Sequence, residues 1–136
     1  MRRHYLLDTV IAQNFQNDRR GVRVCADRER HLGHRIGICF PVLGELWAGV
    51  EGSASRDRNL RSLRHALSRL TLWPYTAEAA EEYGRIFIEL KRAGRVIQQI
   101  DMQIGAIART LPHCVVVSKD ADLSAIAGIS VENWTS

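Results

Sequence analysis

Four short apolar runs constrain this chain more than any other feature: HYLLD at 4–8, RIGICF at 35–40, LTLWPY at 70–75 and HCVVVS at 113–118. Each is too short for a helix and reads as a buried strand; ISVEN at 129–133 reads as a final short one. Longer stretches with helical spacing lie between them. A turn after HYLLD leads into a helix near residues 10–17, and the mixed segment 19–33 is expected to be helical in its second half. Pro41 sits at a natural first helical position and opens a helix whose apolar stripe is Leu43, Leu46, Trp47 and Val50. Ser53 and Ser55 suit a cap for the next helix, with Leu60, Leu63, Leu67 and Leu70 on its buried face. Thr76 caps a helix with early acids, late Lys91 and Arg92, and Gly94 at its end. The Phe87, Ile88 and Leu90 side of that helix is expected to face the core or a dimer surface, and Trp134 to pack on the sheet edge. Strands alternating with helices imply an α/β domain built on a mainly parallel sheet.

In such sheets, ligands gather at the carboxyl ends of strands. Two acidic places follow strands directly: Asp8 after HYLL, and Asp120 with Asp122 after VVVSK. A third acid stands out for a different reason. Asp101 lies in QQIDMQIGAIA, at 98–108, a helix apolar nearly all round and therefore buried. A carboxylate there must be paired, hydrogen-bonded, protonated or bound to a cation. Glu45 lies on the side of its helix that carries Gly49 and Gly52, and Asp101 lies along a stripe with Gly105 and Ala108. Small residues beside both acids would let a ligand approach the backbone.

Each acid taken singly has a structural explanation. Asp8 and Asp122 could cap helices, Asp101 could cap or start its own, Glu45 could be exposed, and Asp120 could sit in a turn. Taken together they form a pattern. Several carboxylates in one cleft cannot all ionise without a cation, and Mg²⁺ or Mn²⁺ is the usual partner of an all-oxygen site. Such a metal serves phosphoryl chemistry.

Other function classes are weakly supported. Nineteen Lys and Arg against 15 Asp and Glu give a formal charge of +4, a mild bias toward polyanions. Arg58, Arg61 and Arg64 share one helix face, as a phosphate track or as a solvated surface. Cys25, Cys39 and Cys114 form no CxxC pair and read as thiols in a reducing compartment. No Cys or His cluster has zinc spacing. No run is long enough for a membrane span or a signal-peptide core, so a cytoplasmic protein is expected.

The order of these segments resembles the PIN domain, and in particular the VapC-type toxins of bacterial toxin–antitoxin pairs. YLLDT is similar to the family's opening strand and first acid, and GELWAGVEGS to its second-acid segment. GRVIQQIDMQIGAIA is similar to the third segment, and VVVSKDADLSAIAGISVENW to the closing one. The chain departs from the family pattern at Val10, Lys119 and Leu123. The resemblance implies a single PIN-like domain over residues 1–136, three-layered, with helices on both sides of the sheet. It implies a metal-dependent endoribonuclease in which Asp8, Glu45, Asp101 and Asp120 or Asp122 form the catalytic set. Asp8, Asp101 and Asp120 would be metal ligands, and Thr9 and Ser118 would orient them. It further implies Mg²⁺ or Mn²⁺ as cofactor, a metal-activated water as nucleophile, RNA as substrate, a cognate antitoxin as partner and a homodimer. Two alternatives stay open: a catalytically weak PIN domain that binds RNA or protein, and a housekeeping RNA-processing nuclease without an antitoxin.

Overall fold

The computed structural model describes residues 1–136. Five parallel strands form its centre: β1 (His4–Leu7), β2 (Arg35–Cys39), β3 (Thr71–Trp73), β4 (Cys114–Val117) and β5 (Ser130–Glu132), in the spatial order β3-β2-β1-β4-β5. Seven helices flank the sheet: α1 (Thr9–Gln16), α2 (Val22–His31), α3 (Phe40–Glu51), α4 (Arg56–Leu67), α5 (Ala77–Arg92), α6 (Gln99–Thr110) and α7 (Ala121–Ser124).

The topology explains where a site can form. From β1 the chain moves outward through β2 to β3, then returns to place β4 on the other side of β1. The order reverses between β1 and β4, where Leu7 pairs with Val117. Such a reversal opens a crevice beyond the carboxyl ends of the two strands. Asp8 and Ser118 are the next residues on each.

Strand burial follows from the parallel arrangement, which helices cover on both faces. Tyr5, Leu6 and Leu7 are fully buried, and so are Ile38, Val116 and Val117. Gly37 has a specific reason to be glycine: a Cβ there would lie 2.1 Å from the Thr71 carbonyl oxygen on the neighbouring strand.

Several local expectations change. Helix α2 begins at Val22, earlier than its mixed sequence suggested, from Gly21 in the left-handed region. Ser55 is the N-cap of α4 but makes no side-chain cap; Ser53 Oγ instead accepts from the Ser55 amide at 3.0 Å and from the Asn59 carboxamide at 2.6 Å. The buried face of α3 is Val42, Leu46 and Val50, with Leu43 and Trp47 at its margin. On α5 the core face is Ala79, Ile86 and Leu90, while Phe87 and Ile88 are exposed. Trp134 does not pack on the sheet edge. Its ring meets Tyr5 on the central strand, 5.0 Å between centroids. Gly105 is small for packing, not for a ligand, since a Cβ there would meet Ile126 Cδ1 at 2.8 Å.

Candidate functional site

The crevice beyond β1 and β4 is a cleft of about 560 Å³ in which Asp8, Glu45, Asp101 and Asp120 come together, with Thr9 and Lys119 beside them. Each acid comes from a different element. Asp8 is the N-cap of α1, where its Oδ1 accepts from the Ile11 amide at 2.9 Å. Its Oδ2 accepts from the Ser118 hydroxyl at 2.5 Å. The capping explanation of Asp8 and its place in the cleft are therefore both true, because one carboxylate has two oxygens. The same Ser118 Oγ accepts from the Asp120 amide at 2.9 Å, tying the ends of the two central strands together.

Glu45 projects from the exposed side of α3, and its Oε1 accepts from the Thr9 hydroxyl at 2.5 Å. Asp120 caps the short α7 by accepting from the Asp122 amide at 2.9 Å. Asp122 itself caps nothing. It sits in the first turn of α7 and pairs with Arg95 at 3.1 Å.

Asp101 behaves differently from the others. It lies in the first turn of α6, a helix with seven buried residues among its 12, but Gln98 is the N-cap. The residue as a whole is only 8% exposed. Burial, and then the charges of Asp120, Asp8, Asp122 and Glu45, push its carboxyl up to about 6. Asp8 is also raised, chiefly by burial, although its hydrogen bonds from Ser118 and the Ile11 amide oppose the change. The structure thus brings two buried acids, Asp8 and Asp101, together with Glu45, Asp120 and Asp122, and the cations beside them are Arg95, on Asp122, and Lys119. Oxygen atoms of Asp101, Asp120 and Asp122 can all lie within 4.8 Å of one another. Asp8 is outside that trio but lines the same cleft.

These residues fit a hard divalent cation. The donor set is entirely carboxylate oxygen, and the neighbouring charge that adds to burial in raising Asp101 is charge such an ion would neutralise. A thiol site is a poor alternative. Burial pushes Cys39 up to about 11 and Cys114 up to about 12, so both stay protonated at neutral pH.

Sequence reasoning missed several neighbours. Gln13 and Gln98 also line the cleft, and Arg95 holds Asp122. Gln13 was detectable in principle, because it follows Thr9 by one helical turn on α1. Arg95 was not, because it reaches α7 from the loop between α5 and α6, 27 residues away.

Comparison with known proteins gives consistent matches. A sequence model of the PIN domain matches residues 5–129. The chain is 28% identical to Ribonuclease VapC2 of Haemophilus influenzae over 130 residues, covering 96% of this chain and 97% of that protein. It is 32% identical to the tRNA(fMet)-specific endonuclease VapC of Shigella flexneri over 110 residues, 79% of this chain and 83% of that protein. Among solved structures, VapBC2 of Rickettsia felis, bound to a DNA fragment from its promoter, superposes with a TM-score of 0.89 at 26% identity, covering 96% of this chain and 98% of that one.

Proposed function

This chain belongs to the PIN-domain family and, within it, to the VapC ribonucleases, and on that premise we propose that it is a metal-dependent endoribonuclease acting as the toxin of a type II toxin–antitoxin pair. The observation that carries the proposal is the convergence of four acids on Asp101, a carboxyl that burial first and then those charges push up to about 6. A bound Mg²⁺ or Mn²⁺ would lower the pKa of water and offset the charge that grows on a phosphodiester during attack.

The chain's own residues divide the work. Asp101, from α6, and Asp120, from the N-cap of α7, would offer oxygens to the cation. Asp8 adds a third, held in one orientation by Ser118 and by the α1 amide. Thr9 fixes Glu45 at the exposed rim, where it can accept a proton from an attacking water. Asp122 is available once Arg95 releases it. Lys119, at the mouth of the cleft, can meet a phosphate oxygen of the strand.

RNA is the proposed substrate, as for the tRNA(fMet)-specific endonuclease of Shigella flexneri, and a cognate antitoxin is the proposed protein partner, as in the VapBC toxin–antitoxin assemblies that this fold matches. Exposed Phe87 and Ile88 on α5 support a homodimer. No helix is long and apolar enough to cross a membrane, and the likeness to VapC ribonucleases supports a cytoplasmic location. The test is cleavage of total RNA with Mn²⁺ and with excess EDTA. Cleavage that EDTA abolishes is expected. Intact RNA at every Mn²⁺ concentration would instead favour a PIN domain that binds without cutting.

A further inference from the structure

A second pocket lies beside the carboxylate cleft, between α1, α3 and α4, with a volume of about 270 Å³. Its chemistry is the opposite of the cleft's. Five carboxamides line it, Gln13, Asn14, Gln16, Asn17 and Asn59, and no acid does. Arg19 stands at its edge, and Leu46 is the one hydrophobic residue in its wall. Gln13 lines both cavities, so the pocket and the cleft share a wall. Thr9, Gln13 and Asn17 follow at intervals of four along α1 and make one polar stripe from cleft to pocket, about 12 Å of helix axis.

We propose that this pocket is a nucleotide subsite: it receives an unstacked base of the RNA strand whose scissile phosphodiester lies in the carboxylate cleft, while Arg19 contacts that nucleotide's phosphate. The inference rests on the ribonuclease function proposed above and adds a recognition element to it. A carboxamide offers a donor and an acceptor side by side, which is the pattern of a base edge. Single-stranded RNA is recognised by splaying out bases and hydrogen-bonding their edges. An acid-free wall and a guanidinium suit a polyanion, and the acidic cleft beside it does so only with its cation. The side chains of Asn14 and Asn17 make no hydrogen bond within the protein, leaving their amides free. Gly49 completes the wall, and a Cβ built on it meets nothing within 4 Å. That open space leaves room for a larger side chain to fill the pocket from α3.

The experiment measures binding of a fluorescein-labelled single-stranded RNA by anisotropy with Ca²⁺ in place of Mn²⁺, so that the cleft carries a cation and binding is read without waiting for cleavage. The RNA is a short oligonucleotide, intact or with a single abasic site moved along it. Wild type should bind the intact strand roughly tenfold more tightly than one particular abasic strand, the worth of one good base contact. Asn14→Ala/Asn17→Ala should lower that preference to about one. Gly49→Leu should do the same by filling the pocket, and it should fold at least as well because leucine favours a helix more than glycine. Arg19→Ala should weaken intact and abasic strands alike. Wild type that binds every abasic strand as tightly as the intact one overturns the proposal. So does a preference that survives Gly49→Leu, or a pocket variant that loses only a co-expressed protein partner. A chain that shows the base preference but never cuts RNA would refute the nuclease function and leave the subsite standing.

Discussion

Replacing Asp101 with asparagine should stabilise the protein when no divalent metal is present. The carboxyl takes its proton near pH 6 in the folded chain, against an ordinary value of 3.8. A group whose pKa rises on folding favours the folded state while protonated. That advantage is complete below about 3.8 and is lost as pH rises through 6. At neutral pH the ionised carboxylate therefore opposes folding, by at most about 3 kcal/mol. Water in the open cleft screens the repulsion, and about 1–2 kcal/mol is a realistic size. Asparagine has nearly the same shape and no charge, so Asp101→Asn should recover this amount. Urea unfolding in EDTA at about pH 4 and about pH 7.5 measures it. The two proteins should match at the lower pH, and the variant should gain at the higher one. A variant less stable at both would show that Asp101 is a structural cap and refute the electrostatic reasoning.

Ser118→Ala removes the hydroxyl that joins Asp8 to the Asp120 amide. It should cost about 1–2 kcal/mol in chemical denaturation and lower RNA cleavage by more than the loss of folded protein explains. Gly37→Ala forces a Cβ against the Thr71 carbonyl. It should destabilise the fold by about 3 kcal/mol or more, seen as a large fall in melting temperature. Arg95→Ala breaks a half-exposed ion pair and should change stability by less than about 1 kcal/mol. Calorimetric titration should show tighter Mn²⁺ binding by this variant, because Asp122 is released; weaker binding would exclude Asp122 from the cation's neighbours.

Much of the fold is legible in the sequence because it is encoded locally. HYLL, RIGIC, TLW and CVVV are strands, and the Pro41, Thr76 and Gly94 signals fall at or beside the ends of helices. The strand-terminal acids are legible because a parallel sheet puts the carboxyl ends of its strands at one edge. Asp101 is legible because a charge on an apolar helix needs an explanation. What the sequence hides depends on distance in three dimensions. Gly105 looks like an opening for a ligand until Ile126, on a different segment, is seen against it. Trp134 looks peripheral because it is near the terminus, yet the chain's last residues return to Arg20 and carry that ring over Tyr5. The polar stripe of Thr9, Gln13 and Asn17 is periodic in the sequence, but it does not reveal a pocket, because α3 and α4 supply the other walls.

The most direct test of the central claim, that Asp101 is a cation ligand in a nuclease site, is cleavage of total RNA by wild type and by Asp101→Asn across a Mn²⁺ titration. Wild type should cut at low Mn²⁺. The variant should be slower by about a hundredfold there and should recover part of its rate at high Mn²⁺, because one oxygen donor is weakened while the others remain. Equal rates for the two proteins at every Mn²⁺ concentration would contradict the assignment.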